Sequence, residues 1–245
     1  MVPACTGKDA ALKVLVFCDG VYRWPEFRES LAGHQVHFLT CSPRGWAPRF
    51  VVVQLVKALR RFRPRDWFVV LKALVTGHSK IVMGPLGSPS SLAFLDQVCP
   101  DIALHAMGVI YRKAVIERCG AGILNAHIGR LPTYRGRSVM EWSILCGDPT
   151  GVTVFFIDEG IDTGARIVLF QESPIRQKTI AAAKAELFAL DIALFRRALD
   201  VIERGEPPAH NDTAEGRRFY EMSLLFQEVV GAHLARSHQN HAIDS

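Results

Sequence analysis

A chain of 245 residues, 49% hydrophobic and 22% charged, carries enough apolar material for one large core and excludes a disordered or fibrous protein. The formal net charge of +5 is a modest excess that suits anionic small ligands as well as nucleic acid and so chooses neither. Six cysteines without a CxxC pair, several of them inside apolar stretches, point to reduced thiols and away from a metal site, and no apolar run reaches the roughly 20 residues that span a bilayer. The opening MVPACTGKDAALK lacks the charged-then-apolar order of a secretion signal, so a cytoplasmic protein without integral membrane contact is expected.

After a loose lead-in over residues 1–11, the continuous apolar run KVLVF at 13–17 suits a buried parallel strand and is ended by Cys18, Asp19 and Gly20. Pro25 is placed for the first turn of a helix reaching about Leu31, and residues 34–40 alternate as a second strand. Strand, helix and strand at this spacing begin a doubly wound sheet, and no GxGxxG follows the first strand to support a dinucleotide site. The expected fold class is therefore α/β: Rossmann-like, doubly wound, a mostly parallel sheet with helices on both faces.

Residues 43–80 interrupt this alternation. Phe50, Val53, Val56, Leu59 and Phe62 recur at helical spacing, a second set follows in Trp67, Phe68, Leu71 and Leu74, and Pro64 separates them. Arg44, Arg49, Lys57, Arg60, Arg61, Arg63, Arg65, Lys72 and Lys80 are interleaved with Asp66 as the one acid. This reads as a basic helical insertion, either a solvated face or a contact for an anionic acceptor or a membrane surface.

Further strands are expected at 80–83 and 100–107, with a helix between them capped by Ser88 or Ser90. A single packing helix is predicted over 179–203 and ends at Gly205, and an amphipathic helix over 220–235 is followed by a polar, frayed end at 237–245. The chain thus divides into residues 1–205, a main domain, and 206–245, a partly helical extension.

The informative stretch is 123–167. A short apolar strand delivers Asn125 and His127, which project to one side because they lie two apart on an extended backbone. A second apolar run at 152–157 ends in DEGIDTG, with Asp158, Glu159 and Asp162. An amide that donates to an oxyanion, an imidazole that moves a proton and a carboxylate that orients it form an acyl-transfer set. Taken singly, each has a plainer reading as a turn former or a hydrogen-bonded strand end.

The pattern Asn125-x-His127-x-x-x-Leu131-Pro132-x-Tyr134-Arg135-Gly136, then Gly151-Val152-Thr153 and Asp158-x-Gly160-Ile161-Asp162-Thr163-Gly164, resembles the folate-dependent formyltransferases. That resemblance implies a catalytic set of Asn125, His127 and Asp162, with N10-formyltetrahydrofolate as formyl donor and no metal. It implies donor contacts from the turn Gly108, Val109, Ile110 and Tyr111, from Leu131, and from Asp158, Glu159, Gly160 and Ile161. Tyr134, Arg135, Arg130 and Tyr22 are then acceptor contacts, with residues 131–136 forming a rigid turn before a helix that Ser138 and Glu141 cap reciprocally. Three departures stand out. Tyr111 and Arg112 replace a common Leu-Pro, Ile128-Gly129-Arg130 replaces a common Pro-Ser-Leu, and Phe155 occupies a position where the purine enzymes carry a histidine.

Cys18-Asp19-Gly20 in place of the phosphate-reading Gly-Ser-Asn turn disfavours phosphoribosylglycinamide formyltransferase, and the forty residues after Gly205 are too few for a tRNA-binding barrel. The expectation is formyl transfer to the primary amine of a small molecule, with a nucleotide-linked amino sugar as the leading class. The partner is then that amine rather than nucleic acid, and a homodimer is allowed. The alternatives are a formyltetrahydrofolate hydrolase and a binding module that keeps the fold without turnover.

Overall fold

The computed structural model describes residues 11–41 and 48–243, in two compact units that divide between Leu124 and Asn125. The lead-in through residue 10, with Cys5, and also Arg44, Trp46, Asp244 and Ser245 lie outside the described residues.

In the first unit, β1 (Lys13–Cys18) is followed by a 3-10 turn (Val21–Arg23), α1 (Trp24–Ser30) and β2 (Gln35–Cys41). Then come α2 (Pro48–Arg61), α3 (Pro64–Val75), β3 (Ser79–Val82), α4 (Pro89–Val98), β4 (Ile102–Ala106), α5 (Lys113–Ile116) and the start of β5 (Ile123–His127). The strands run in the order β3, β2, β1, β4, β5, and every pairing among them is parallel. Val14 to Cys18 are fully buried, which is why β1 reads as an unbroken apolar run with no alternation. The order reverses at β1, so right-handed crossovers put the helices on opposite faces and open a crevice at the carboxyl ends of β1 and β4.

Pro64 opens α3 as expected, and the Asp66 carboxylate turns back to accept from Arg63 N at 2.7 Å. At the head of α4, Ser88 occupies the cap position with its hydroxyl directed to Ser91 at 3.3 Å.

The second unit takes the end of β5, then β6 (Tyr134–Gly136), α6 (Val139–Cys146), β7 (Gly151–Phe156), β8 (Arg166–Glu172), α7 (Ile180–Phe188) and α8 (Asp191–Glu203). It finishes with β9 (Ala209–His210), β10 (Arg217–Phe219) and α9 (Leu224–Ile243). Here β7, β8 and β9 pair antiparallel, while β6 and β10 form a separate parallel pair. The C-terminal forty residues are thus woven into this unit through β9 against β8 and β10 against β6.

Three expectations are corrected. The single helix over 179–203 is two: Thr179 caps α7 through Ala182 N, α7 stops at Phe188, and Asp191 opens α8 with a carboxylate suited to a helix N-terminus. The reciprocal cap of α6 does not form either. Ser138 has a left-handed backbone and its hydroxyl accepts from Met222 N at 3.1 Å, while Glu141 is buried and bridges to Lys184 at 2.5 Å. The last helix also runs beyond 235, to Ile243.

Candidate active site

β5 delivers Asn125, half-buried, and His127, buried at 7% exposure, to the same strand face. The His127 Nε2 lies 2.9 Å from the Tyr134 carbonyl oxygen. A carbonyl only accepts, so Nε2 carries a proton, and Nδ1 is the nitrogen left to gain or lose one. Nδ1 faces Asp162 Oδ1 at 3.5 Å, and the ring meets Phe155 edge-on at 6.4 Å. Gly129 packs tightly beside it: a Cβ there would lie 3.0 Å from both His127 Nε2 and a Val139 methyl group, so a side chain would press on the imidazole.

The carboxylate reaches this point through a tightly tied loop. Asp158 Oδ1 accepts from Gly160 N at 2.8 Å and from the Thr163 hydroxyl at 2.6 Å, which bends the chain after β7. Asp162 takes up a left-handed backbone (φ 54°) and its Oδ2 accepts from Gly136 N at 2.9 Å, leaving Oδ1 for the imidazole. At Gly164 the loop passes so close to the Phe156 carbonyl that a Cβ would overlap it. Asn211, 2% exposed, closes the loop from the C-terminal segment. Its Nδ2 donates to the carbonyls of Asp162 at 3.3 Å and Gly164 at 3.0 Å, and its backbone N to Ala165 O at 2.9 Å.

Thr153, fully buried in β7, does the same for the stretch after His127. Its hydroxyl donates to Gly129 O at 2.6 Å and accepts from Leu131 N at 3.1 Å. Leu131 packs in a small core with Phe155 and Ile167. Asn211 lies outside the sequence motif and Thr153 stands within it at Gly151-Val152-Thr153 with no role assigned; both act by fixing backbone.

The remaining expected contacts have local partners. The Tyr134 ring is buried against Phe219 at 5.1 Å and its hydroxyl donates to Asp148; burial first, then that bond, holds the phenol well above its usual range, so it stays a donor. What Tyr134 offers His127 is its carbonyl. Arg135 donates through Nη2 to Thr213 O at 2.9 Å and Gly216 O at 3.3 Å, latching the C-terminal segment. Arg130 is exposed, with its guanidinium 5.7 Å from the Phe170 ring centre. Asp158, Glu159, Gly160 and Ile161 form the exposed rim of the carboxylate loop.

Gly108, Val109, Ile110, Tyr111 and Tyr22 belong to the first unit, on the turns that follow β4 and β1 at its crevice. Gly108 and Ile110 are exposed, while Tyr111 is buried, with its hydroxyl 2.8 Å from His105 Nδ1 and its ring 5.1 Å from Phe17. Tyr22 donates to Asp19, and burial, then that carboxylate, pushes its phenol up to about 12. Lys57 Nζ and the Arg61 guanidinium lie over its ring at 4.8 and 5.2 Å, so Tyr22 anchors α2. Among the described residues no group of three His, Cys, Asp or Glu side chains is arranged to hold a metal ion.

Comparison with known proteins follows the same residues. Residues 90–187 match the formyl transferase family model. A methionyl-tRNA formyltransferase of Syntrophus aciditrophicus (strain SB) is 34% identical over 143 residues, 56% of this chain and 46% of that protein. One from Clostridioides difficile (strain 630) is 32% identical over 120 residues, 47% of this chain and 39% of that protein. The chain spans under half the length of these curated relatives. Among solved structures, a 4-N formyltransferase from Francisella tularensis superposes with TM-score 0.58 at 14% identity, over 91% of this chain and 87% of that one. Glycinamide ribonucleotide transformylase 1 from Symbiobacterium toebii gives 0.55 at 19% identity, over 80% and 89%. At these identities the superpositions establish the fold, which is α/β and Rossmann-like.

Proposed function

We propose that this chain, whose residues 90–187 match the formyl transferase family model, moves a formyl group from N10-formyltetrahydrofolate to a primary amine of a small-molecule acceptor. The observation that carries this reading is the His127 ring, with Nε2 tied to a carbonyl and Nδ1 turned to Asp162, on the strand face that also bears Asn125. The donor supplies an amide-like carbonyl carbon open to attack by an amine. Asn125 has an amide NH2 to donate to the oxygen on which charge then builds. His127 Nδ1 and Asp162 Oδ1 form the proton-handling pair, and their 3.5 Å separation, longer than a direct hydrogen bond, leaves the proton to pass on closer approach or through one water. The exposed rim 158–161 and the apolar side chain of Leu131 are the donor contacts proposed within this unit, since a main-chain edge and an apolar wall suit a flat, amide-bearing ring.

A chain named as a sugar N-formyltransferase, from Shewanella sp FDAARGOS_354, shares this fold over 90% of the sequence, and a nucleotide-linked amino sugar is the acceptor we put first. The test mixes the protein with the formyl donor and follows free tetrahydrofolate with and without a panel of amines. Release that depends on an amine, with the formylated amine found by mass spectrometry, is the expected result. Release at the same rate in water alone would assign a hydrolase, and folate binding without release would leave a binding module.

A further inference from the structure

We propose that the α2–α3 hairpin docks on the surface of an anionic phospholipid bilayer, a property separate from the transfer chemistry. An ordinary surface helix buries its large apolar residues and exposes its polar ones. This hairpin exposes its large apolar residues along with its polar ones. Its inward positions are small or modest, with Ala58 and Ala73 each 1% exposed and Val70 at 7%. Its outward positions are large: Leu59 is 69% exposed, Phe68 77%, Leu71 60% and Val75 77%. The pattern is the same on both helices. Val52, Val53, Val56 and Leu59 follow the spacing i, i+1, i+4, i+7 on α2, and Trp67, Phe68, Leu71, Leu74 and Val75 repeat it on α3 with one residue more. Each set is one continuous stripe on a 3.6-residue helix.

The charge around these stripes names the occupant. Residues 48–75 contain seven lysines and arginines and one acid, Asp66, a net +6 that exceeds the +5 of the whole chain, so the rest of the molecule is close to neutral. Arg60, Arg63, Arg65 and Lys72 are exposed beside the apolar stripes, and Asp66 already caps α3. An apolar face with a cationic border fits a membrane interface, where side chains enter the acyl boundary and cations meet lipid phosphates. A second copy of the hairpin would instead bring +6 against +6. At 14 and 12 residues the helices are about 21 and 18 Å long, short of the roughly 30 Å hydrocarbon core, so they lie on the bilayer and do not cross it.

The experiment is flotation of the full chain with vesicles of phosphatidylcholine alone or with about a third phosphatidylglycerol, at low and high salt, with Trp67 emission as a second readout and a Trp67→Phe control. Expected are binding to the anionic vesicles at least tenfold above the zwitterionic ones, a blue shift lost in the control, and weakening with salt. Arg60→Gln with Arg63→Gln should cut partitioning on the order of 25-fold, at about fivefold per cation. Phe68→Ser with Leu71→Ser should abolish the shift while circular dichroism stays unchanged. No flotation, or equal flotation on both vesicles, overturns the proposal. So does a concentration-dependent dimer in light scattering that Phe68→Ser dissolves, which would assign the face to a second copy.

Discussion

The carboxylate loop over residues 158–164 and the α2–α3 hairpin break the usual distribution of side chains in opposite ways. The loop takes polar groups inward and pairs them: Asp162 with Gly136 N, and Asn211 with two loop carbonyls. The hairpin puts Phe68, Leu71 and Val75 outside and gives them no cover. An exposed leucine on its own carries little information, but buried polar groups and a contiguous exposed apolar face both do. The first marks where geometry is held for chemistry, and the second where another surface is to be met.

If that contrast is right, replacements in the loop must damage turnover and those on the hairpin must not. The largest effect is expected for Asp162→Asn. The new side-chain oxygen still accepts from Gly136 N, but an NH2 now faces His127 Nδ1 and donates to its lone pair, so the site loses its proton acceptor. Turnover of the formyl donor should fall by roughly 10²- to 10⁴-fold while the melting temperature holds, and near-normal rates would remove His127 and Asp162 from the chemistry. Asn125→Ala should cost roughly 10²- to 10³-fold in the same assay, through a lost oxyanion donor.

Next comes Asn211→Ala, which touches neither the imidazole nor any proposed substrate contact. Releasing the Asp162 and Gly164 carbonyls should misplace the carboxylate and lower turnover by up to roughly 100-fold. An unchanged rate constant would show that the loop holds its shape without the C-terminal segment. Thr153→Val keeps shape and removes the hydroxyl that serves Gly129 O and Leu131 N. Denaturant titration should register a loss of about 1–3 kcal/mol for each buried group left unpaired. The smallest effect is reserved for Phe68→Ser, expected within about 0.5 kcal/mol of the parent in stability and equal to it in turnover with soluble acceptor. A large destabilisation there would mean that the hairpin face is packed after all.

The parallel strands of the first unit were legible because a strand buried on both faces leaves a continuous apolar run, as in KVLVF at 13–17. Both hairpin helices were legible too, but periodicity reports that an apolar face exists and is silent on whether it points in or out. Asn125, His127 and Asp162 stood out as a spaced pattern, whereas Asn211 sits 49 residues beyond Asp162 in a Pro-bearing loop with nothing local to distinguish it. Thr153 belonged to the pattern Gly151-Val152-Thr153, but in an apolar run a threonine reads as a β-branched filler and the two bonds of its hydroxyl leave no mark in the sequence. The strands β6 and β10 are three residues each, too short for alternation to register, so residues 131–136 read as a turn alone. The break between α7 and α8 falls among alanines and leucines with no Gly or Pro, and only the acidic Asp191 marks it.

The left-handed backbone at Asp162 narrows what any chemist or any lineage can place there. Side chains with a Cβ tolerate that conformation poorly, at about 1–2 kcal/mol per residue, and aspartate and asparagine are the usual exceptions because their short polar groups bond locally. Lengthening the acid to glutamate would therefore misplace both the charge and the chain, and alanine would mix a conformational penalty with the loss of the carboxylate. Asparagine alone separates charge from shape at this position, so the amide swap is the one substitution from which a rate can be read without correcting for the fold.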